Sequence, residues 1–334
     1  MKFGPIPVAE AENAIVAHAV RLDGLAIKKG EIVTPERRRA LSAAGVEEII
    51  AARLEPGEVG ENEAAQQLAD RLAGAHLRLA PPFTGRVNLF AREAGLLVVD
   101  AEAIDRVNAV DEAITVATLA QYRVVAPDDM VATVKIIPFA TDRAALEKAC
   151  DALPAGGAAS IAPFRPLRFG VVSTLLPGLK PSVIAKTLRV LDDRLAPAGA
   201  SIAAEERVAH ETTAVAAALD RLAPGCDALV IFGASAITDR RDVIPAAVEA
   251  FGGRIERFGM PVDPGNLLLL ARRGAQPVIG APGCARSPKE NGFDWVLQRI
   301  LADVPITGGG IEKMGVGGLL MEISSRPQPR LGDG

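Results

Sequence analysis

The 334-residue chain is 49% apolar, 23% charged and only 4% aromatic, with a formal net charge of −4. This is the composition of a soluble globular protein, long enough for two or three domains. The acidic balance and scarce aromatics exclude nucleic-acid binding by bulk charge or by base stacking.

Cys150, Cys226 and Cys284 are isolated, with no CxxC pair. Neither a disulfide framework nor a zinc site is predicted, and a reducing cytoplasm is the expected compartment. The opening stretch MKFGPIPVAEAENAIVAHAV holds acids and lacks a long apolar core, so no signal peptide is predicted. No apolar run approaches the roughly 18 residues of a membrane span.

Residues 1–75 read as helical with strand interruptions. EIV is a short predicted strand, and Thr34-Pro35 forms a helix N-cap and first-turn signal for PERRRALSAA, which ends at Gly45. The strand EEIIAARL and the amphipathic helix ENEAAQQLADRLAG (61–74) follow. Residues 76–152 read as β-rich: FTGRVNLFA, GLLVVD, AITVATL, YRVVA and MVATVKIIPFA are predicted strands, closed by a helix between Thr141 and Leu153. LPAGGAASIAPFRP (153–166) has the composition of a flexible linker.

Residues 167–325 alternate between strand and helix. RFGVVST, ASIAAEERV, CDALVIF, GRIERF, LLLLA and PVIGAPG are predicted strands. PSVIAKTLRVLDDRLAPAG, TTAVAAALDRL, DVIPAAVEAFGG and NGFDWVLQRILADV are predicted helices. Alternation on this scale means βαβ units. The expected fold is α/β: a C-terminal three-layer domain with a mostly parallel sheet, preceded by a smaller α+β N-terminal region. GVGGLLMEISSRPQPRLGDG adds a last strand and a loose polar end.

Ligands of such sheets sit at the carboxyl ends of strands. Four turns are expected to meet there. VVSTLLPG carries Ser173 and Thr174. FGASAITDRRD carries Gly233, Ala234, Ser235, Asp239 and Asp242. MPVDPGN carries Pro264, Gly265 and Asn266, and APGCARSPKEN carries Pro282, Gly283, Cys284, Ser287 and Lys289. Small residues let a ligand approach the backbone, and free N–H groups at turns bind anions. None matches a P-loop or a GxGxxG fingerprint.

Several residues carry two readings. Asp239 and Asp242 either offset a helix dipole or ligate Mg²⁺ beside phosphate. Cys284 is either an inert thiol or one acidified by a helix start. Lys289 is a solvated lysine or a phosphate contact. His210 is a plain residue before a helix or a polar group facing the ligand. His18, His76 and Trp295 read as structural, and PERRR as a solvated helix face.

The C-terminal half resembles the molybdenum-cofactor biosynthesis domain shared by molybdopterin adenylyltransferases and molybdopterin molybdenumtransferases. FGASA followed by RRDVIPAA stands where adenylyltransferases carry TGGTG and RRDVTPDA, which places Asp242 on a metal-linked aspartate. MPVDPGN and GAPGCA follow the order of MKPGKP and GLPGNP in the molybdenumtransferases. IKKGEIVTPERRRALSAAGVEEI resembles the segment preceding that domain. GVGGLLMEISSRPQPR resembles a variant class sometimes fused to a cytidylyltransferase. The chain departs from the pattern at STLLP, which lacks the acidic pair of STGDE, at RVAHE, where His210 replaces an aspartate, and in lacking the lysines of MKPGKP.

The resemblance implies a molybdopterin ligand or substrate, with Asp242 and Asp239 as catalytic and metal residues. Mg²⁺ would offset phosphate charge, and molybdate would enter if metal is inserted. The expected function is adenylyl-molybdopterin processing or molybdate insertion. The rival is a non-catalytic module that delivers the cofactor, and a third reading is an unrelated small-molecule enzyme on the same scaffold. Expected partners are a pterin phosphate, a molybdoenzyme or cytidylyltransferase, and a second copy of the chain, with no nucleic acid and no membrane.

Overall fold

A computed structural model describes residues 1–22, 24–178 and 180–320. The last predicted strand and the tail that carries the cytidylyltransferase-class resemblance fall largely outside the described residues. Two compact units divide the chain, Met1–Ala162 and Pro163–Gly334.

The first unit holds two apolar cores. One gathers Val8, Val16, Val33, Leu41 and Ile49 around the helix Pro35–Ala43, whose N-cap Thr34 accepts from the Arg37 N–H at 3.3 Å. Its sheet pairs Lys2–Pro7 antiparallel with Glu48–Arg53. Lys2–Pro7 is a strand that the sequence reading did not include, and it carries two prolines. It lies at the sheet edge, where a missing N–H is tolerated. The EIV strand is not formed, and Ile32 makes only an isolated bridge to Ile15.

The second core packs the helix Glu61–Leu72 on a four-stranded antiparallel sheet, ordered Ile114–Thr118, Met130–Ile136, Arg86–Ala91, Leu77–Leu79. The expected boundary after residue 75 falls inside this core, because Leu68 and Leu72 pack with Val87, Leu89 and Ile114. A helix not predicted, Ala101–Asn108, starts at Asp100, whose carboxylate accepts from the Ala103 N–H at 3.0 Å.

The stretch 153–166 is no loose linker. Ala159–Pro163 is a strand, Ala159 and Ile161 are buried, and the Ala159 carbonyl accepts from Gly74 N at 2.7 Å. Its small residues serve close packing. A Cβ on Gly157, at φ +83°, would lie 2.5 Å from the Gly74 nitrogen.

In the second unit the predicted alternation forms one six-stranded sheet. Its strands are β1 (Arg168–Leu175), β2 (Ser201–Ala209), β3 (Ala228–Phe232), β4 (Arg254–Phe258), β5 (Leu269–Arg273) and β6 (Gln276–Ala281), in the order β2-β1-β3-β6-β5-β4. The β2-β1, β1-β3 and β3-β6 pairs are parallel, whereas β5 is antiparallel to both neighbours. The sheet is therefore mixed, but β4 still points the same way as β6. All strands except β5 end on one edge.

The helices are α1 (Pro181–Leu195), α2 (Thr212–Leu222), α3 (Val243–Ala250), α4 (Gly292–Leu301) and the short α5 (Gly308–Glu312). Side chains alternate across each strand, so successive residues feed opposite layers. Phe169, Val171, Val230 and Phe232 pack with Leu191, Leu195, Phe293 and Val296 of α1 and α4. Val172, Leu229 and Ile231 pack with Val215, Leu219, Ile244 and Val248 of α2 and α3. No helix among the described residues is long and apolar enough to cross a membrane.

Candidate functional site at the carboxyl edge of the sheet

The four predicted turns lie at the same edge, and three hydrogen-bond links join them. On the α2/α3 face, Thr174 closes β1. Its Oγ1 accepts from the Ala234 N–H at 2.7 Å and lies 2.8 Å from His210 Nδ1. The first turn, the second turn and the end of β2 are thereby tied together. Between the second and fourth turns, Arg286 donates to the Gly233 carbonyl at 2.8 Å. The third and fourth turns join where the Gly292 N–H donates to the Pro264 carbonyl at 2.8 Å. Gly265 has φ +142°, and a Cβ there would sit 2.7 Å from the Gly292 nitrogen, so this junction requires glycine.

Gly233 is also sterically required, since a Cβ would meet Ile244 Cδ1 at 2.6 Å and the Ser235 carbonyl at 2.7 Å. Gly283 is different: it is exposed, and a Cβ there would meet nothing within 4 Å. Ser235, Asn266 and Lys289 stand exposed on the rim. Pro282 is buried beneath the fourth turn, and Ser287 contributes its carbonyl, which accepts from Arg194 at 2.8 Å.

Both aspartates are engaged locally. Asp242 is the N-cap of α3, where Oδ1 accepts from the Val243 N–H at 2.7 Å and Oδ2 from the Thr238 N–H at 3.3 Å. Asp239 pairs with exposed Arg241 at 2.8 Å, and the hydrogen bonds from this guanidinium and from the Arg241 N–H hold its carboxyl below the usual carboxylate range. Among the described residues, no three His, Cys, Asp or Glu side chains converge as a metal-binding set. Two carboxylates leave most of an octahedral Mg²⁺ shell to water and substrate phosphate oxygens, the usual arrangement for this ion.

Cys284 lies at the start of a short 3-10 turn, Gly283–Arg286, with its Sγ 3.7 Å from Asn291 Oδ1. Burial pushes its thiol pKa up, against the acidification that a helix start suggested. His76 pairs with Glu93 at 2.8 Å, and Trp295 packs beside the α1/α4 core.

Two arginines organise the α1/α4 face, and the sequence did not single them out. Arg194 of α1 forms a nearly buried ion pair with Asp294 at 2.5 Å and donates to the carbonyls of Ala285 and Ser287 at 2.9 and 2.8 Å. It clamps the fourth turn onto α4, whose N-terminus carries a capping box of Asn291 and Asp294. Arg286 donates to Thr187 Oγ1 at 2.8 Å and stands 5.5 Å over the Phe232 ring. It has no carboxylate partner among the described residues, and burial alone depresses its pKa. Phe232 is the register partner of Ser173, which is 2% exposed and whose hydroxyl has no hydrogen-bond partner among the described residues. An unneutralised guanidinium and an unpaired buried hydroxyl thus border the same aromatic residue. The bonds to Thr187 and Gly233 use two of the five guanidinium donors, and a charge-assisted bond to an anion is chemistry open to the others.

No protein-family profile and no curated protein matches this chain. Among solved structures, it is similar to the molybdopterin biosynthesis MoeA protein from Pyrococcus horikosii, at 14% identity and a TM-score of 0.32 over 76% of this chain and 81% of that one. It is similar to a molybdenum cofactor biosynthesis protein from Pyrococcus furiosus at 11% identity and a TM-score of 0.27, over 91% of this chain and 64% of that one. The molybdopterin biosynthesis enzyme MoaB from Thermus thermophilus is 17% identical with a TM-score of 0.29, over 42% of this chain and 98% of that one.

Proposed function

We propose that the second unit binds a pterin phosphate of the molybdopterin type at the carboxyl edge of its sheet, as a binding or delivery step in molybdenum-cofactor biosynthesis. Arg286 carries this reading. A half-buried cation without a carboxylate, set between the second and fourth turns, leaves a charge for the ligand to neutralise. The motif order FGASA, RRDVIP, MPVDPGN, GAPGCA supports the pterin assignment.

Binding is favoured over Mg²⁺-dependent transfer because Asp239 and Asp242 are already used in a local ion pair and a helix cap. In this reading Arg286 holds the phosphate, and the exposed backbone at Gly283 lets the pterin ring lie close. Equilibrium binding of molybdopterin to the full chain tests the reading. Wild type binds with one ligand per chain, and EDTA leaves the affinity unchanged. Gly283→Val keeps the thermal melt and loses binding, because its side chain projects into open space over the turn. Wild-type protein that binds no molybdopterin would refute the proposal.

A further inference from the structure

The first unit contains a cleft of about 600 Å³ that the carboxyl-edge site does not involve. That volume lies within the usual range of small-molecule sites, roughly 300–1,000 Å³. Phe3 of the edge strand Lys2–Pro7 lines it, together with Ile137 and Phe139 of the turn that follows Met130–Ile136. Phe3 is 58% exposed and Ile137 59%, although large apolar side chains normally leave water. At the base, Lys135 Nζ lies 3.7 Å from Glu61 Oε2 and donates to the Thr84 carbonyl, so these two charges offset each other. Lys29 remains. Its Nζ stands 5.9 Å over the Phe139 ring and makes no ion pair among the described residues.

We propose that this cleft binds a small organic anion with a flat apolar body, an aromatic carboxylate or aryl phosphate, whose ring lies against Phe139 and Ile137 while its charge meets Lys29. The apolar wall supplies the area, and the ammonium supplies orientation and selects against neutral analogues. Burial pushes the Glu61 carboxyl up, consistent with a partly dehydrated cleft floor.

The test is an amide NMR titration of the full-length protein with benzoate and phenyl phosphate, and with neutral benzamide as control. Saturable shifts are expected at residues 28–30 and 135–139, with benzamide binding at least about tenfold more weakly than the anions. Lys29→Glu and Ile137→Asp change exposed side chains, so both should fold, which thermal melts check. Each is expected to weaken benzoate binding by about tenfold or more. No saturable shift below about 10 mM of either anion would overturn the proposal, as would benzamide binding as tightly as benzoate. Unchanged affinity in Lys29→Glu would overturn the anion's place in it.

Discussion

The two faces of the sheet's carboxyl edge are built from similar turns but handle polarity in opposite ways. On the α2/α3 face, Thr174 is bonded to Ala234 and next to His210, Asp242 caps α3 and Asp239 is paired with Arg241. Each of these four polar side chains has a partner within the chain. On the α1/α4 face, among the described residues, Arg286 has no counter-charge and Ser173 no hydrogen bond. A group satisfied internally holds the fold, whereas a buried group left unsatisfied costs stability unless something else completes it. The face with the unmet demand is therefore where an anion would gain most, although the Asp239 and Asp242 carboxylates lie on the other.

The largest effect expected is structural and lies on the α1/α4 face. Arg194→Leu leaves Asp294 buried without its partner and frees two carbonyls of the fourth turn, costing about 3–5 kcal/mol in urea denaturation. A loss below about 1 kcal/mol would mean that the clamp is incidental. Gly265→Ala comes next, at about 1–3 kcal/mol, because the backbone conformation and the approach to Gly292 both forbid a side chain. On the satisfied face, Asp242→Ala removes a helix cap and costs about 1 kcal/mol, whereas Asp242→Asn preserves capping and costs only a few tenths. Equal losses in the two variants would show that charge, not the cap, is what Asp242 supplies. The smallest effect is chemical. With its pKa raised, Cys284 is protonated at neutral pH and its thiolate fraction grows only as pH climbs past the ordinary thiol range. It should alkylate more slowly than free cysteine at pH 8, and a faster rate would contradict the burial assigned to it.

The βα alternation from residue 168 to 301 was legible because the central strands are continuous apolar runs, as at Ala228–Phe232, and some helices carry a start signal, as at Pro181 and Asn291. The convergence of the four turns followed from strand direction. The reversal of β5 did not, since LLLLARRGAQPVIGA reads as two strands without saying which way the ladder runs. The first unit was less legible. A Gly/Ala-rich stretch can be flexible or closely packed, and only the contact of Gly157 with Gly74 decides. Asp239 and Asp242 attracted attention because a carboxylate beside a turn suggests a metal, but a cap uses the same residue at the same place. Arg286 had a signal, as a lone arginine in an otherwise small-residue turn after a buried strand. So did Ser173, a hydroxyl inside an apolar strand. The Arg194–Asp294 pair had none, because the two residues meet only through tertiary packing.

The most direct test of the ligand-face assignment is the dissociation constant for molybdopterin, measured anaerobically with and without Mg²⁺ on wild type, Arg286→Met and Asp242→Asn, with thermal melts on the same samples. Arg286→Met should keep the fold and weaken binding by about tenfold or more, the loss of a charge-assisted hydrogen bond. Asp242→Asn should stay within about twofold of wild type, and Mg²⁺ should change neither value. Arg286→Met binding like wild type, while Asp242→Asn loses a Mg²⁺-dependent affinity, would contradict the account and move the site to the opposite face of the sheet.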